Sequence, residues 1–326
     1  MDWDTLETDL SSIDIENSIY RITTEPSIEP LAASIGALGL LNPPFLHVQD
    51  DQKYLIVSGF KRVAACLHLG YTKIHAHLLK QDTPPERMAE LAIGDNALQR
   101  SLNLVETSRS LNLLNRFVED PSTLAETCRR LVLPDHPSMM GKIMRVCRMP
   151  AAVQEGLLEG MISLNTALTL DDLGPEAVAA LVNMFTGLHL SHSKQREILT
   201  NLDDIKRRDR TEISALLQDS QLRDLLSNPE TSRAQKVNLV RRHFRSKRFP
   251  FLTLTEETFQ EESKKIALGD NIRLHAPSGF ESSEYVFTLK IKNLPDLERS
   301  IINLKKALTN PALKKILGLN KALPVK

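Results

Sequence analysis

The stretch "VSGFKRVAACLHLGYTKIHAHLL", residues 57–79, joins an apolar strand to an apolar helix. The strand runs into Ser58-Gly59, and two cations, Lys61 and Arg62, follow at once. A glycine at this point lets the backbone approach a ligand closely, and the N–H groups of a helix's first turn favour an anion. The two cations add charge-assisted donors at the same end of the helix. The junction therefore predicts a loop that binds phosphate.

The residues on either side of this loop predict a small α/β unit. Apolar residues at helical spacing indicate a helix over residues 28–38. Two strands are expected at 45–49 and 54–57, joined by a polar turn at 50–53. A further strand is expected at 73–79, after the helix that Gly70 closes.

Beyond Pro84 the pattern becomes almost wholly helical, in short pieces broken by proline and glycine. Such a bundle of small helices is the setting in which helix-turn-helix units occur. The later part of the chain, from residue 251, turns mixed again, with two strands around Pro277-Ser278-Gly279 and an amphipathic helix over 297–316. The helices predicted between these regions span roughly residues 85–100, 106–118, 122–131, 138–147, 151–159, 175–186 and 192–201.

Composition limits the class of protein. A chain of 326 residues with 41% hydrophobic and 25% charged residues is typical of a soluble globular protein with two or three domains. No apolar run approaches the roughly 20 residues that a membrane span needs. The acidic N-terminus does not resemble a signal peptide. Three cysteines without a CxxC pair argue against a disulfide framework or a zinc cluster. We therefore expect a cytoplasmic protein.

Charge is distributed unevenly along a chain whose formal net charge is zero. Residues 1–30 include eight acids and one base, whereas residues 231–254 include seven Lys/Arg and no acid. Such asymmetry indicates local anion-binding surfaces, although solvated helix faces would give the same pattern. Contacts from these cations to phosphates would give DNA affinity without sequence information. The candidate DNA-binding residues are Lys142, Arg145 and Arg148 in the middle of the chain, and Arg241, Arg242, Arg245, Lys247 and Arg248 within 233–249.

A second group of polar residues lies in "GDNALQRSLNLVE", residues 94–106. Asp95 and Asn96 stand near the end of a predicted helix, and Arg100 follows about one turn later. Neighbouring Asp and Asn oxygens are hard ligands of the kind that hold Mg²⁺ beside phosphates, and the arginine could reach a phosphate. The plainer interpretation is a helix C-terminus capped by polar residues.

The order of these motifs resembles the ParB partition proteins. That family has a helix ending in Gly-Leu-x-x-Pro, then Gly-x-Arg-Arg-x-x-Ala, then Glu-Asn with a nearby Arg and Leu-Asn-x-x-Glu. Residues 149–182 and 190–199 are similar to the family's central helix-turn-helix domain, so the resemblance covers about residues 28–205. The matching positions here are Gly39, Leu40, Pro43, Gly59, Lys61, Arg62, Ala65, Asp95, Asn96, Arg100, Leu102, Asn103 and Glu106.

The resemblance implies a protein that binds CTP with Mg²⁺ and closes as a clamp around double-stranded DNA. It implies that the loop Ser58–Arg62, with Gly59, Phe60 and Lys61, cradles the triphosphate. Asn42 and Pro43 would border the base, Asp95 and Asn96 would hold the metal, and Asn96 and Arg100 would lie by the phosphates. A homodimer, a nucleoid-associated location and a ParA-type ATPase partner are further expectations from the family.

Departures from the family pattern at the proposed nucleotide site bear on catalysis. Lys61 replaces an arginine and gives up bidentate geometry, and Asp95 replaces a glutamate. Arg100 lies four residues after Asn96, where three is usual. The resemblance thus implies at most a slow CTP hydrolase, and no catalytic residue is assigned. The alternative function is a nucleotide-dependent enzyme of the same fold, such as a small-molecule kinase that acts on serine.

The predicted fold class is α+β, with a small mixed α/β N-terminal domain of ParB/sulfiredoxin type, an all-α helix-turn-helix middle domain and a small α+β C-terminal domain. The C-terminal domain would serve as a dimer interface or pack on its own chain, and the sequence favours neither. The expected segments are an acidic tail at 1–20, a nucleotide-binding domain at 21–105, a DNA-binding domain at 106–205, a basic helical linker at 206–250 and the C-terminal domain at 251–326.

Overall fold

The computed structural model describes residues 3–24, 27–49 and 53–319. The chain divides into two compact units between His192 and Ser193. Within the described residues, the first unit contains a five-stranded mixed sheet and nine α-helices, whereas the second is helical apart from one short hairpin. The predicted α+β fold class is confirmed. The expected boundary between residues 205 and 206 is wrong, because it falls inside a continuous helix, His192–Asp209.

The sheet of the first unit has the strand order β1-β5-β3-β4-β2. Strand β3 is antiparallel to β4 and parallel to β5, while β1 is antiparallel to β5 and β2 is parallel to β4. The three strands predicted from alternating apolar residues are confirmed; of the turn expected at 50–53, residues 50–52 lie outside the described residues. The strands are β1 Trp3–Asp9, β2 Ile13–Asp14, β3 Phe45–Val48, β4 Tyr54–Ser58 and β5 Lys73–Leu79.

The N-terminal residues belong to the sheet, so the prediction of an acidic tail at 1–20 is wrong for the described part. All residues of β1 pair with β5, from Trp3 opposite Leu79 to Asp9 opposite Lys73. The strand uses backbone groups for this pairing, and its acidic side chains stay exposed to solvent. An acidic composition is therefore compatible with an edge strand, where charged side chains also discourage pairing with other chains.

The sheet curls, because β1 and β2 lie at its two opposite edges. Only a short 3-10 turn, Leu10–Ser12, joins these two strands. Chain that short spans at most about 14 Å. The outer strands of a flat five-stranded sheet would stand roughly 19 Å apart. The edges must therefore bend toward each other, and the segment 3–14 supplies both edge strands.

Nine helices complete the described part of the first unit. Helices α1 and α2 pack with one another and with the sheet around a core that includes Ile35, Ile56 and Cys66. A second core, with Met88, Leu111 and Ile143, joins α3 to the helices that follow. The helices predicted for this unit are confirmed to within a few residues, and α8 was not predicted. The helices are α1 Glu29–Leu38, α2 Phe60–His68, α3 Pro85–Ala97, α4 Leu104–Phe117, α5 Pro121–Arg130, α6 Pro137–Met144, α7 Ala151–Leu158, α8 Leu164–Asp171 and α9 Pro175–Gly187.

The second unit begins with a run of helices that the sequence suggested as a linker. This interpretation is wrong, because the segment supplies buried side chains, among them Leu222, Val240 and Phe244. A linker would leave such residues in water. The first helix of the run also extends beyond its predicted end at residue 201. The helices of this unit are α10 His192–Asp209, α11 Ile213–Leu217, α12 Ser220–Ser227, α13 Arg233–Arg248, α14 Pro250–Lys265, α15 Leu294–Leu308 and α16 Pro311–Gly318.

The C-terminal part of the second unit contains the predicted hairpin, with β6 Ile272–His275 antiparallel to β7 Val286–Leu289. The single helix expected over 297–316 is instead two helices, α15 and α16. Pro311 cannot donate a backbone hydrogen bond within a continuing helix, and Asn310 caps α16 by accepting from the N–H of Ala312. None of the helices in the described residues is both long and apolar enough to cross a membrane.

Candidate functional site

The junction between β4 and α2 places a glycine directly before the helix, where the sequence predicted a close approach of the backbone. Gly59 occupies the N-cap position of α2 with φ at +99°, in the left-handed region that favours glycine. A Cβ at this position would lie 2.8 Å from Cβ of Pro44 and 3.0 Å from its Cα. The loop before β3 therefore packs directly against the start of α2, and only glycine fits between them.

This junction forms one wall of a cavity of about 250 Å³. The opposite wall is the last turn of α3, with Asp95 and Asn96, and Asn42 lines the cavity from the loop before β3. The two sequence motifs, which are well separated along the chain, thus meet at one place. The predicted residues that line the cavity are Asn42, Ser58, Gly59, Phe60, Lys61, Arg62, Asp95 and Asn96.

Arg62 holds the cavity together. Its Nη1 donates to the carbonyl oxygens of Asn42, at 3.1 Å, and Pro43, at 3.0 Å. Its Nη2 forms an ion pair with Oδ2 of Asp95, which also accepts a hydrogen bond from Oγ of Ser58. One guanidinium thus ties the loop before β3 to the end of α3, and its donors already point into the site. An incoming phosphate would compete with the Asp95 carboxylate for them.

The donor set can accept Mg²⁺ that arrives with phosphates. Asp95 offers one carboxylate, whose Oδ1 also accepts a hydrogen bond from Nε2 of Gln99 at 3.2 Å. The side-chain amide of Asn96 donates to the carbonyl of Ala92 at 2.9 Å, which fixes the asparagine at the cavity. Among the described residues no three His, Cys, Asp or Glu side chains form a metal cluster. The described residues therefore do not form a metal site made of protein ligands alone. Mg²⁺ does not require one, because it commonly binds one or two carboxylates together with phosphate oxygens and water.

Arg100 is not among the residues that line this cavity, so the structure does not bring it together with the other predicted phosphate ligands. Its two terminal nitrogens bind both carboxylate oxygens of Glu106, at 2.7 and 2.8 Å. Glu106 also accepts from the backbone N–H of Thr24 and of Asn103. Burial raises the pKa of Glu106, but these hydrogen bonds and the Arg100 charge outweigh burial and lower its pKa. A buried carboxylate needs such a partner, which explains why Arg100 turns away from the cavity.

Pro43 contributes its carbonyl to Arg62 but is not among the residues that line the cavity. The cavity wall also includes side chains that the motifs did not indicate: Tyr20, Ile22 and Thr23 from the N-terminal segment, and Gln99 from the residues after α3. The alternation of Tyr20 and Ile22 is typical of an extended segment with one buried face, and this was the available signal. His77 on β5 is nearby, and burial, followed by the Arg62 charge, lowers its pKa.

The basic residues predicted to bind DNA in the first unit differ in their surroundings. Lys142 on α6 is exposed. Arg145 pairs with Asp171 at 2.7 Å and Asp172 at 2.6 Å, and these hydrogen bonds, Asp172 first, raise its pKa. Arg148 is exposed and donates to Oδ1 of Asn112 at 3.2 Å. Lys142 and Arg148 thus present charge to solvent, whereas Arg145 is largely neutralised by its partners.

Helix α13 carries the basic stretch, and most of its cations pair with acids of the same unit. The role of this helix in DNA binding stays a prediction, but its charge is less open than the sequence indicated. Among the five predicted cations, only Arg242 is exposed without such a pair in the described chain. The pairs are Arg241–Glu197 at 2.8 Å, Arg245–Glu256 at 2.7 Å, Lys247–Asp219 at 2.7 Å and Arg248–Asp204.

Residues 6–97, which contain nearly all of the sheet and both motifs of the cavity, match the ParB N-terminal domain family. The chain carries a ParB N-terminal domain. The resemblance of these residues to ParB proteins is thereby confirmed. The motifs at Gly59 and at Asp95-Asn96 both fall within the matched range.

Curated relatives extend the ParB similarity beyond this domain. The chain is 30% identical over 171 residues to a probable chromosome-partitioning protein ParB of Helicobacter pylori, covering 52% of this chain and 57% of that protein. It is 25% identical over 179 residues to a nucleoid occlusion protein of Oceanobacillus iheyensis, covering 54% and 60%. The chain thus spans little more than half the length of the curated relatives that it matches. The small-molecule kinase alternative receives no support from these comparisons.

Solved ParB structures were also matched. One is the C-terminally truncated chromosome-partitioning protein ParB of Caulobacter crescentus complexed with CTP-gamma-S, with 22% identity, a TM-score of 0.27, and coverage of 56% of this chain and 99% of that chain. The same protein complexed to the centromeric parS site gives 21% identity, a TM-score of 0.34, and coverage of 58% and 96%. TM-scores this low carry no argument about the ligands of the present chain.

Proposed function

We propose that this protein is a ParB-like DNA-binding protein that binds CTP with Mg²⁺ at the cavity between β4–α2 and α3, and that it acts in chromosome or plasmid partition. The observation that carries the proposal is the meeting of Ser58–Arg62 with Asp95-Asn96 around one cavity inside a ParB N-terminal domain. The partition and nucleoid occlusion proteins among its relatives support the biological role.

In this proposal the phosphates of the nucleotide lie at the start of α2. Phosphate groups are stabilised there by the N–H groups of the helix's first turn and by the helix dipole. Arg62 would exchange its contact with Asp95 for phosphate oxygens while Lys61 adds a second charge. A cavity of 250 Å³ is smaller than the roughly 300–1,000 Å³ usual for small-molecule sites. Release of the Arg62–Asp95 contact is therefore part of binding, because it separates the two walls.

In this proposal Asp95 and Asn96 would hold Mg²⁺, which would supply positive charge that offsets the phosphates. A carboxylate beside a triphosphate is repulsive without a cation, and Asp95 is the acid that lines the cavity. Asn96 would contribute an amide oxygen. No catalytic residue is assigned for hydrolysis of CTP.

Nucleotide binding by the full chain tests this proposal. Calorimetry with Mg²⁺ should show CTP binding more tightly than ATP, and Arg62→Ala should abolish it because both the phosphate contact and the tie between the two walls are lost. Arg87→Ala is the matched control, since Arg87 is an exposed arginine on α3 outside the cavity. If no nucleoside triphosphate binds at high protein concentration, the proposed site does not exist.

The proposal includes a homodimer that closes around DNA. Helix α15 exposes apolar side chains at Leu294, Ile301, Ile302 and Leu308, which suit a self-complementary contact. CTP would favour closure only through contacts that differ between open and closed arrangements. Light scattering at a range of concentrations tests the dimer, and a monomer throughout would reject it.

A ParA-type ATPase is the partner expected for partition, and stimulation of its ATPase rate by this protein is the measurement.

A further inference from the structure

The first unit contains a second and larger cavity, of about 840 Å³, which shares Thr23 with the proposed nucleotide cavity. Residues 18–24, helix α4 and the 3-10 turn Val146–Arg148 contribute its lining. Among the described residues, four arginines from these three segments line it and no acid does: Arg21, Arg109, Arg116 and Arg148. We call this cavity the arginine groove.

The groove continues toward α6. An adjoining cavity of about 500 Å³ shares Asn112 and Arg148 with it and reaches Gly141 and Met144 on α6. The acid in that extension is Asp171, which is paired with Arg145. Together the two cavities form an elongated and open depression, whose walls come from the α/β part and from the helical part of the same unit.

The four arginines of the groove have no acidic partner among the described residues. In the described part of the chain none of them forms an ion pair, which contrasts with the paired cations of α13. Arg109 donates to the carbonyl of Thr23 at 2.9 Å, Arg148 donates to Asn112, and Arg116 lies over the ring of Phe117 at 5.8 Å. Four like charges gathered without counter-charge raise the local potential and favour an anionic ligand.

The lining of the groove points to one class of anion. It contains threonine, serine and asparagine side chains, which donate hydrogen bonds to phosphate oxygens as arginine does. Its lining, as far as the chain is described, contains no aromatic side chain on which a base could stack, since Tyr20 lines the other cavity. The ligand would thus be recognised by its phosphates alone, spaced along an elongated path.

We propose that the arginine groove binds the phosphodiester backbone of duplex DNA through Arg21, Arg109, Arg116 and Arg148. This inference rests on the proposed DNA-binding function and replaces α13 as the main electrostatic surface. Three of the four arginines were not selected from the sequence, because they are dispersed over segments that lie far apart along the chain. Such contacts position DNA without reading its sequence.

DNA binding by the full-length double variant Arg21→Gln/Arg116→Gln tests the groove. Both side chains are exposed, so their replacement should leave the fold intact. For a labelled duplex of arbitrary sequence, the slope of log affinity against log salt should become shallower by about 2, close to one per lost phosphate contact. The matched control is Arg87→Gln/Arg207→Gln, which removes the same net charge at two exposed arginines outside the groove, and its slope should equal that of the wild type.

Protection of the Cys147 thiol from chemical modification provides a second readout of DNA bound in the groove. Cys147 lines the groove and is partly exposed, whereas Cys66 and Cys128 are fully buried. A thiol reagent should therefore modify Cys147 selectively, and at the same duplex concentration the duplex should slow this reaction less in the groove double variant than in the wild type. Cys147→Ser confirms which thiol is followed.

The outcomes separate the groove from the wider function. If the protein binds DNA but the groove double variant keeps the wild-type salt slope, the proposed role of the groove is wrong and the proposed function stands. The same conclusion follows if the duplex binds but does not protect Cys147. Failure of the wild type to bind DNA even at low salt overturns both. Protection of Cys147 by inorganic triphosphate without protection by duplex overturns the DNA assignment in favour of a small-anion site.

Discussion

Replacing Gly59 by alanine should disrupt the junction on which the cavity depends. The left-handed backbone at φ +99° costs a non-glycine residue about 1–2 kcal/mol. The added Cβ would lie 3.0 Å from Cα of Pro44, which is backbone and cannot rotate away. Forced movement in a packed region costs roughly a further 1–3 kcal/mol. We expect Gly59→Ala to lower the free energy of unfolding of the first unit by about 2–5 kcal/mol in total.

Gly70 offers a matched control at the other end of the same helix. Its φ is +75°, but an added Cβ would meet no atom within 4 Å. Gly70→Ala should therefore cost only the backbone strain, about 1–2 kcal/mol. Any entropic change in the unfolded chain is common to both substitutions and cancels in the comparison. The difference between the two variants measures the contact with Pro44.

Urea unfolding followed by tryptophan fluorescence is a suitable assay. The chain has one tryptophan, Trp3, and its ring meets that of Phe45 edge-on with centroids 5.3 Å apart. Phe45 directly follows Pro44, so the fluorescence reports on the part of the sheet that the substitution strains. If Gly59→Ala loses no more stability than Gly70→Ala, the packing of Pro44 against the start of α2 does not constrain this position.

Two further substitutions test the charges around the site. The pKa of Glu106 in the folded protein is lowered from its usual 4.5, so the carboxylate stabilises the fold above that pH and this stabilisation is lost as pH falls through the folded pKa. Glu106→Gln should therefore make the free energy of unfolding depend less on pH in the acid range. Urea midpoints from neutral pH downward measure this, with exposed Glu119→Gln as the control, and equal pH dependence in both variants would count against it. Asp95→Asn should make CTP binding less dependent on Mg²⁺, because it removes the carboxylate that opposes the phosphates. Calorimetry with and without EDTA gives the answer, and an unchanged Mg²⁺ requirement would show that Asp95 is not the group that the metal offsets.

The sequence predicted those features that local backbone chemistry determines. A glycine between an apolar strand and a helix predicted a close backbone approach at Gly59, and the structure adds the positive φ at this position. The meeting of this loop with Asp95-Asn96 came from the resemblance to ParB proteins, since spacing alone does not bring residues 59 and 95 together. Helix existence was also predicted well, because apolar periodicity and proline positions are local signals.

Contacts between distant segments were the part that the sequence did not reveal. The acids that neutralise Arg241 and Arg245 are Glu197 and Glu256, 44 and 11 residues away along the chain. A basic stretch therefore looked like an open cationic surface. Arg100 was assigned to phosphate for the same reason, since its buried partner Glu106 was interpreted only as part of a motif. No motif in the sequence indicated the arginine groove, because each contributing segment holds only one or two cations among ordinary neighbours.

The curled sheet has a consequence for the order in which the protein assembles. Strands β1 and β2 leave the ribosome before their hydrogen-bonding partners, β5 and β4, which lie about 40 to 70 residues further along. The N-terminal segment must therefore wait, unpaired, until the central hairpin and α2 have formed, and it docks last onto both free edges. Truncation within the segment 3–14 would leave two strands open to pairing with other chains. Soluble expression should thus depend on a short segment that contributes only Leu10 and Ile13 to the core between the sheet and helices α1 and α2.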